Sequence, residues 1–111
     1  MLEISSTRTP VATLIEVAGR VDGVSADELR AALQDALETG QAKLVVELAQ
    51  VDYISSAGLR ELFAALKQAQ RAKGDIRLAA PSPRVADLLE LSGLDTLFKI
   101  FPDREAALAT F

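Results

Sequence analysis

The sequence predicts an α/β domain: a mixed sheet of about five strands, the first pair antiparallel and the rest parallel, packed with four helices. Short apolar runs of strand character alternate along the chain with longer segments whose apolar residues recur at helical spacing. The connections are short and marked by Gly or Pro, as expected for strand, helix, strand units. With 111 residues, 50% hydrophobic and 25% charged, the composition is that of one globular domain with a sizeable core. The order of strands in the sheet is left open by these patterns.

Leu2 to Ser5 and Val11 to Val17 read as strands joined by a turn over Thr7 to Thr9, with Pro10 and Gly19 bounding the second. Ser25-Ala26-Asp27-Glu28 reads as a capping box opening a helix with Leu29, Leu33, Ala36 and Leu37 on its inner face and Gly40 as its C′ residue. Lys43 to Leu48 is the next strand. A second helix follows residue 55, with Leu59, Leu62, Phe63 and Leu66 inward and Gly74 closing it. Ile76 to Ala79 is a further strand. Ser82-Pro83 is a cap with proline at the first helical position, leading into Val85, Leu88 and Leu89 as the buried face and Gly93 as the stop. Leu97 to Phe101 is expected as the last strand and Asp103 to Ala109 as the last helix, its acidic start suited to the helix dipole.

Composition also narrows function. With no Cys and no His, the chain lacks thiol chemistry, the commonest general base and the commonest metal ligand. A net charge of −4 with no Lys/Arg stripe argues against nucleic-acid binding. No run approaches the roughly 18 apolar residues of a membrane span, so no membrane insertion is expected and the cytoplasm is the expected location. Neither a Gly-rich phosphate loop nor a metal-ligand spacing is present, so no cofactor, metal or catalytic residue is assigned and the chain is not read as an enzyme.

The most informative stretch is Asp52-Tyr53-Ile54-Ser55-Ser56-Ala57-Gly58-Leu59, where a strand hands over to the second helix. Serines before helices ordinarily act as caps. A helix start can also hold a phosphate, because its backbone N–H groups lack intrahelical partners and the dipole is positive there. If Ser55 is the N-cap, its hydroxyl is occupied by backbone N–H groups and Ser56, at the first helical position, projects to solvent. Asp22 and Gly23 read as a turn ahead of the first helix. Asp52 reads as a turn residue and Tyr53 as a ring buried with its hydroxyl at the rim. Arg60 falls on the exposed face of the second helix.

Three segments in register resemble the anti-sigma factor antagonists, whose domain is called STAS: Gly19-Arg20-Val21-Asp22 leading to Ser25-Ala26 and Leu29; Ile54-Ser55-Ser56-Ala57-Gly58-Leu59; and Ser82-Pro83-Arg84-Val85 running to Leu91-Ser92-Gly93-Leu94. The resemblance spans most of the chain and implies one STAS domain over residues 1–111. It implies a partner switch in bacterial transcription control, in which the protein binds a serine-kinase anti-sigma factor and releases sigma factor. Phosphorylation by that kinase turns the antagonist off, and a metal-dependent serine phosphatase restores it. The family's acceptor lies two residues before the glycine of an Asp-Ser-Ser/Thr-Gly motif, which places it at Ser56, with Gly58 as that glycine. Here Ser55 stands where the motif has aspartate and Ala57 where it has a second hydroxyl, so Ser55 is the competing acceptor. The resemblance further implies partner contact by Asp22, Gly23, Ser55, Ser56, Ala57, Gly58 and Leu59; Arg60, directly after the junction on the exposed face, reads as solvated surface charge or as a contact for an acidic partner residue. A regulatory subunit of an ATP-driven lipid transporter is the alternative role open to a chain of this kind.

Overall fold

A computed structural model describes residues 2–39 and 41–111. The elements are β1 (Leu2–Arg8), β2 (Thr13–Val21), α1 (Ala26–Glu38), β3 (Lys43–Ile54), α2 (Ser56–Arg71), β4 (Asp75–Ala79), α3 (Pro83–Ser92), a 3₁₀ turn (Leu94–Thr96), β5 (Ile100–Phe101) and α4 (Arg104–Leu108). The expected architecture is the observed one, and the strands lie in sequence order, β1-β2-β3-β4-β5. β1 and β2 pair antiparallel; β2, β3, β4 and β5 pair parallel.

Two apolar layers cover the sheet. On one face Ile15 and Val17 of β2, Leu44, Val46, Leu48, Val51 and Ile54 of β3, and Ile76 and Leu78 of β4 pack against Leu29 and Leu33 of α1, Leu62 and Leu66 of α2, and Val85 and Leu89 of α3. Burying each such side chain contributes roughly 1.5–3 kcal/mol, so this layer fixes where the helices sit. On the other face a smaller cluster of Leu14, Val45, Ala79 and Ala107 brings α4 onto the sheet. Arg104 of α4 clamps that side. Its guanidinium is bidentate to Glu47, at 2.7 Å for both bonds, and lies 2.9 Å from Glu16.

Several boundaries differ from the sequence reading, each for a local reason. Thr7 and Arg8 belong to β1, because the turn forms later: the Thr9 N–H donates to the Ala12 carbonyl at 2.9 Å and the Thr9 hydroxyl accepts from the Ala12 N–H at 3.1 Å. Gly19 does not end β2. It adopts φ 108°, where the β2–β3 register slips, and the strand continues to Val21. β3 continues to Ile54, so Asp52 is a strand residue and not a turn. Phe63 is 36% exposed and faces outward, while the inner face of α2 is made by Leu59, Leu62, Ala65, Leu66 and Ala69. The stop after α2 is shared. Lys73 takes the left-handed conformation, φ 64°, and the Gly74 N–H bonds back to the Ala69 carbonyl at 2.8 Å. Gly74 is required by space, since a Cβ there would lie 1.9 Å from the Ala42 carbonyl oxygen. The final strand is only Ile100–Phe101; Leu97 is exposed and outside it. Gly40, read as the C′ residue of α1, lies outside the described residues.

Candidate functional site

The carboxyl ends of β2 and β3 bring the two polar segments singled out in the sequence together. Val21 and Ile54 are register partners at the ends of these strands, and the Ser55 N–H donates to the Val21 carbonyl at 2.7 Å. Asp22-Gly23 therefore leaves the sheet beside the point where Ser55-Ser56 enters α2. Gly58 completes the junction from below. A Cβ at Gly58 would lie 2.6 Å from Val21 Cγ1 and 2.8 Å from Ile54 Cγ1, so the first turn of α2 rests directly on the ends of both strands.

Ser55 and Ser56 divide their roles by geometry. Ser55 has extended backbone, φ −78° and ψ 168°, and its side chain accepts from the Gly58 N–H at 3.2 Å, which makes it the N-cap of α2. Ser56 is the first helical residue, is exposed, and its hydroxyl has no hydrogen-bond partner among the described residues. The first turn of α2 carries no acidic residue.

The capping box expected at Ser25 does not form. Ser25 is itself helical, φ −79° and ψ −9°, a geometry in which its hydroxyl cannot reach forward to the Glu28 N–H. Asp22 caps instead. Its carboxylate accepts from the Val24 N–H at 3.0 Å and the Ser25 N–H at 2.9 Å, and its carbonyl accepts from the Ala26 N–H at 3.0 Å. The Ser25 hydroxyl accepts from the Asp22 N–H at 2.9 Å and lies 3.0 Å from both the Arg20 carbonyl and the Asp22 carboxylate. The Ser25 backbone donor, followed by the Ser25 hydroxyl, holds the Asp22 carboxyl below the ordinary carboxylate range against desolvation, with smaller help from the Val24 N–H and the nearby Arg20 charge. Asp22 is thus anionic at neutral pH and turned toward its own loop, while Gly23 has nothing within 4 Å of where a Cβ would stand.

Behind Ser56 lies a depression of about 230 Å³ lined by Ser56, Leu59, Arg60, Phe63, Ser92 and Leu94. Four of these, at positions 56, 59, 60 and 63, follow helical spacing along one stripe of α2. Ala57 is half-buried, and Gly58 and Leu59 are buried, so of the α2 residues expected to face a partner it is Ser56 and Arg60 that stand at the surface. The sequence reading missed Phe63, Ser92 and Leu94 as walls of this site. Extending the wheel from Ser56 by seven residues would have found Phe63; Ser92, the last residue of α3, and Leu94, the first of the 3₁₀ turn, had no local signal. Val24, 85% exposed beside Gly23, and Leu91, 83% exposed beside Ser92, add apolar surface on neighbouring elements. On β3, Tyr53 is half-buried, with the Arg20 guanidinium 4.2 Å from its ring centroid and that of Arg84 at 5.8 Å, while Asp52 is exposed.

The family model described as the STAS domain matches residues 3–107, spanning both helix starts and the depression between α2 and the 3₁₀ turn. The chain belongs to the STAS domain family. Its named relatives are anti-sigma factor antagonists. One, BtrV of Bordetella bronchiseptica, named as a candidate anti-sigma factor antagonist, is 37% identical over 93 residues, covering 84% of this chain and 80% of that one. The crystal structure of an anti-sigma factor antagonist from Mycobacterium paratuberculosis superposes with a TM-score of 0.90 at 24% identity, over 99% of this chain and 93% of that one. The Bacillus cell fate determinant SpoIIAA, solved in its phosphorylated form, gives a TM-score of 0.76 at 18% identity, over 97% of this chain and 98% of that one. The STAS domain here shares the fold of both.

Proposed function

We propose that this STAS domain binds a serine-kinase anti-sigma factor in the cytoplasm, thereby releasing sigma factor, and that phosphorylation of Ser56 switches the binding off. The observation that carries the reading is the contrast at the mouth of α2: Ser55 is committed to the Gly58 N–H, while Ser56 is exposed and unbonded. In the transfer, the Ser56 oxygen bonds to the γ-phosphorus of ATP, the bond to the β-phosphate oxygen breaks, ADP leaves and the hydroxyl proton is released. A serine phosphatase then restores the hydroxyl: water attacks the phosphorus, the bond to the Ser56 oxygen breaks, that oxygen takes up a proton and inorganic phosphate is released. The docking surface is the turn at Asp22 and Gly23 together with Ser55, Ser56, Ala57 and Arg60, backed by the buried Gly58 and Leu59. The protein's own role is binding, with no catalytic residue, cofactor or metal assigned to it. The phosphorylated form known for SpoIIAA, a protein of the same fold, supports such a switch.

The switch works through charge. A phosphoserine adds roughly −1.5 to −2 charge at neutral pH. Within about 4 Å of a partner carboxylate, at an effective dielectric near 20, each unit costs on the order of 4 kcal/mol, about a thousandfold in affinity. Loss of one neutral hydrogen bond costs roughly 1 kcal/mol, so repulsion dominates. Because Ser56 makes no internal bond, the core is untouched by the modification.

The test is to incubate the purified protein with extract of its source cells and ATP and to map phosphate by mass spectrometry. Modification at Ser56, abolished in Ser56→Ala, is the expected result. Phosphate confined to Ser55, or on neither serine, overturns the assignment. Ser56→Asp should lose affinity for the captured kinase while melting at nearly the wild-type temperature; unfolding of that variant would refute a surface switch.

A further inference from the structure

We propose that Arg60 is the internal receptor for the Ser56 phosphate, so that phosphorylation both adds a charge to the docking surface and withdraws a cation from it. The inference rests on Ser56 as the acceptor and adds to that reading a role for a residue outside the acceptor motif.

Ser56 and Arg60 are four residues apart on α2 and line the same depression, so their side chains occupy one face of the helix. Arg60 has no ion-pair or hydrogen-bond partner among the described residues, although acidic residues outnumber basic ones in the chain, 16 to 12. Its other neighbours at three and four positions are Ala57, Phe63 and Ala64, none of which can accept a guanidinium hydrogen bond. The polar neighbour left on that face is the hydroxyl that would carry the phosphate. An anion placed one turn toward the N-terminus of a cation is the favoured order for such a pair. The next cation on this side of the helix, Lys67, lies about 16 Å from Ser56 along the axis at 1.5 Å per residue, with its ammonium 5.3 Å from the Phe63 ring centroid. Ser92 is already engaged, its hydroxyl donating to the Leu89 carbonyl at 3.0 Å. The planar guanidinium fork of Arg60 matches two phosphate oxygens.

Acids on the elements around the depression include Asp22 in the β2–α1 turn, Asp27 and Glu28 in the first turn of α1, Glu61 on α2 itself, Asp87 and Glu90 on α3, and Asp95 in the 3₁₀ turn. They act alike on the phosphate whatever stands at position 60, so substitution there isolates the contribution of Arg60.

The test needs no kinase. Phosphoserine is installed at position 56 during translation, and the phosphate is titrated by phosphorus NMR in wild type, Arg60→Gln and Arg60→Lys. The second phosphate ionisation, ordinarily near pH 6, should occur roughly 0.1–0.4 unit lower in wild type than in Arg60→Gln. Arg60→Lys should recover part of the difference, and 1 M salt should erase most of it. The unphosphorylated Arg60→Gln protein should melt like wild type, as a purely structural role would not allow. Superimposable titrations of wild type and Arg60→Gln at low salt overturn the proposal and leave the identity of the acceptor untouched. Failure to find phosphate on Ser56 in extract would instead strike the acceptor, with the pairing still measured in the installed phosphoprotein.

Discussion

Replacing Gly58 with alanine should destabilise the domain by about 0.5–2 kcal/mol, although alanine is the better helix former. Carbon atoms in contact normally sit about 3.5–4.0 Å apart. The new Cβ would stand 2.6 Å from Val21 Cγ1, 2.8 Å from Ile54 Cγ1 and 3.3 Å from Ile54 Cδ1. Val21 and Ile54 are 0% and 1% exposed, and both are β-branched and stiff at χ1, so neither can swing into empty space. Overpacking of this kind costs about 1–3 kcal/mol, against which the gain in helix propensity offsets roughly 0.5–1 kcal/mol. The steric term wins. At about 4–8 °C per kcal/mol for a domain near this size, the melting temperature should fall by several degrees. Urea titration followed by circular dichroism should show a lower midpoint with an unchanged slope. Gly23→Ala is the matched control, because nothing lies within 4 Å of its Cβ position. If Gly58→Ala were as stable as wild type, or Gly23→Ala lost as much, the close seating of α2 on the two strand ends would be wrong.

Ser55→Ala should cost about 1 kcal/mol by removing the cap on the Gly58 N–H, whereas Ser56→Ala should stay within about 0.5 kcal/mol; thermal melts that reverse this order would exchange the roles of the two serines. Asp22→Asn should alter acid stability in a defined window. The folded-state pKa of Asp22 is depressed below its ordinary value of 3.8, so its stabilisation is fully present above that value and is lost as pH falls through the folded pKa. Stability curves of wild type and Asp22→Asn should therefore be separated near neutral pH and converge below about pH 4, and parallel curves would refute the capping role. Arg104→Met should cost roughly 1–2 kcal/mol in urea unfolding, since the bidentate pair with the 15% exposed Glu47 is lost and two carboxylates are left facing each other. Arg30→Ala, at the exposed pair with Asp27, should change little.

Much of this was written in local signals. Ser82 followed by Pro83, Asp103 and Gly93 mark helix ends through chemistry that acts within three or four residues, and the structure uses them: Ser82 accepts from the Val85 N–H, Asp103 from the Ala106 N–H, and Gly93 takes φ 78°. Ser25 shows where that reasoning fails. Its motif matched a capping box, but a competing acceptor three residues earlier, Asp22, had already taken the helix start. Phe63 matched the apolar spacing of α2, yet at the edge of the stripe it stands beside a depression and not beneath the sheet.

By itself the sequence determined the α/β class, the antiparallel opening followed by parallel pairing, and Ser55-Ser56 at the entrance to α2, because apolar periodicity and capping chemistry are read over a few residues. Only the tertiary structure decided that β3 would run on to Ile54, that Asp22 would lie beside the serines, and that Arg104 would reach Glu47 and Glu16 across 57 and 88 residues of chain. Strand order and sheet pairing create those neighbours, and the free energy that selects them is spread over the buried layer between sheet and helices, so no short stretch of residues carries it.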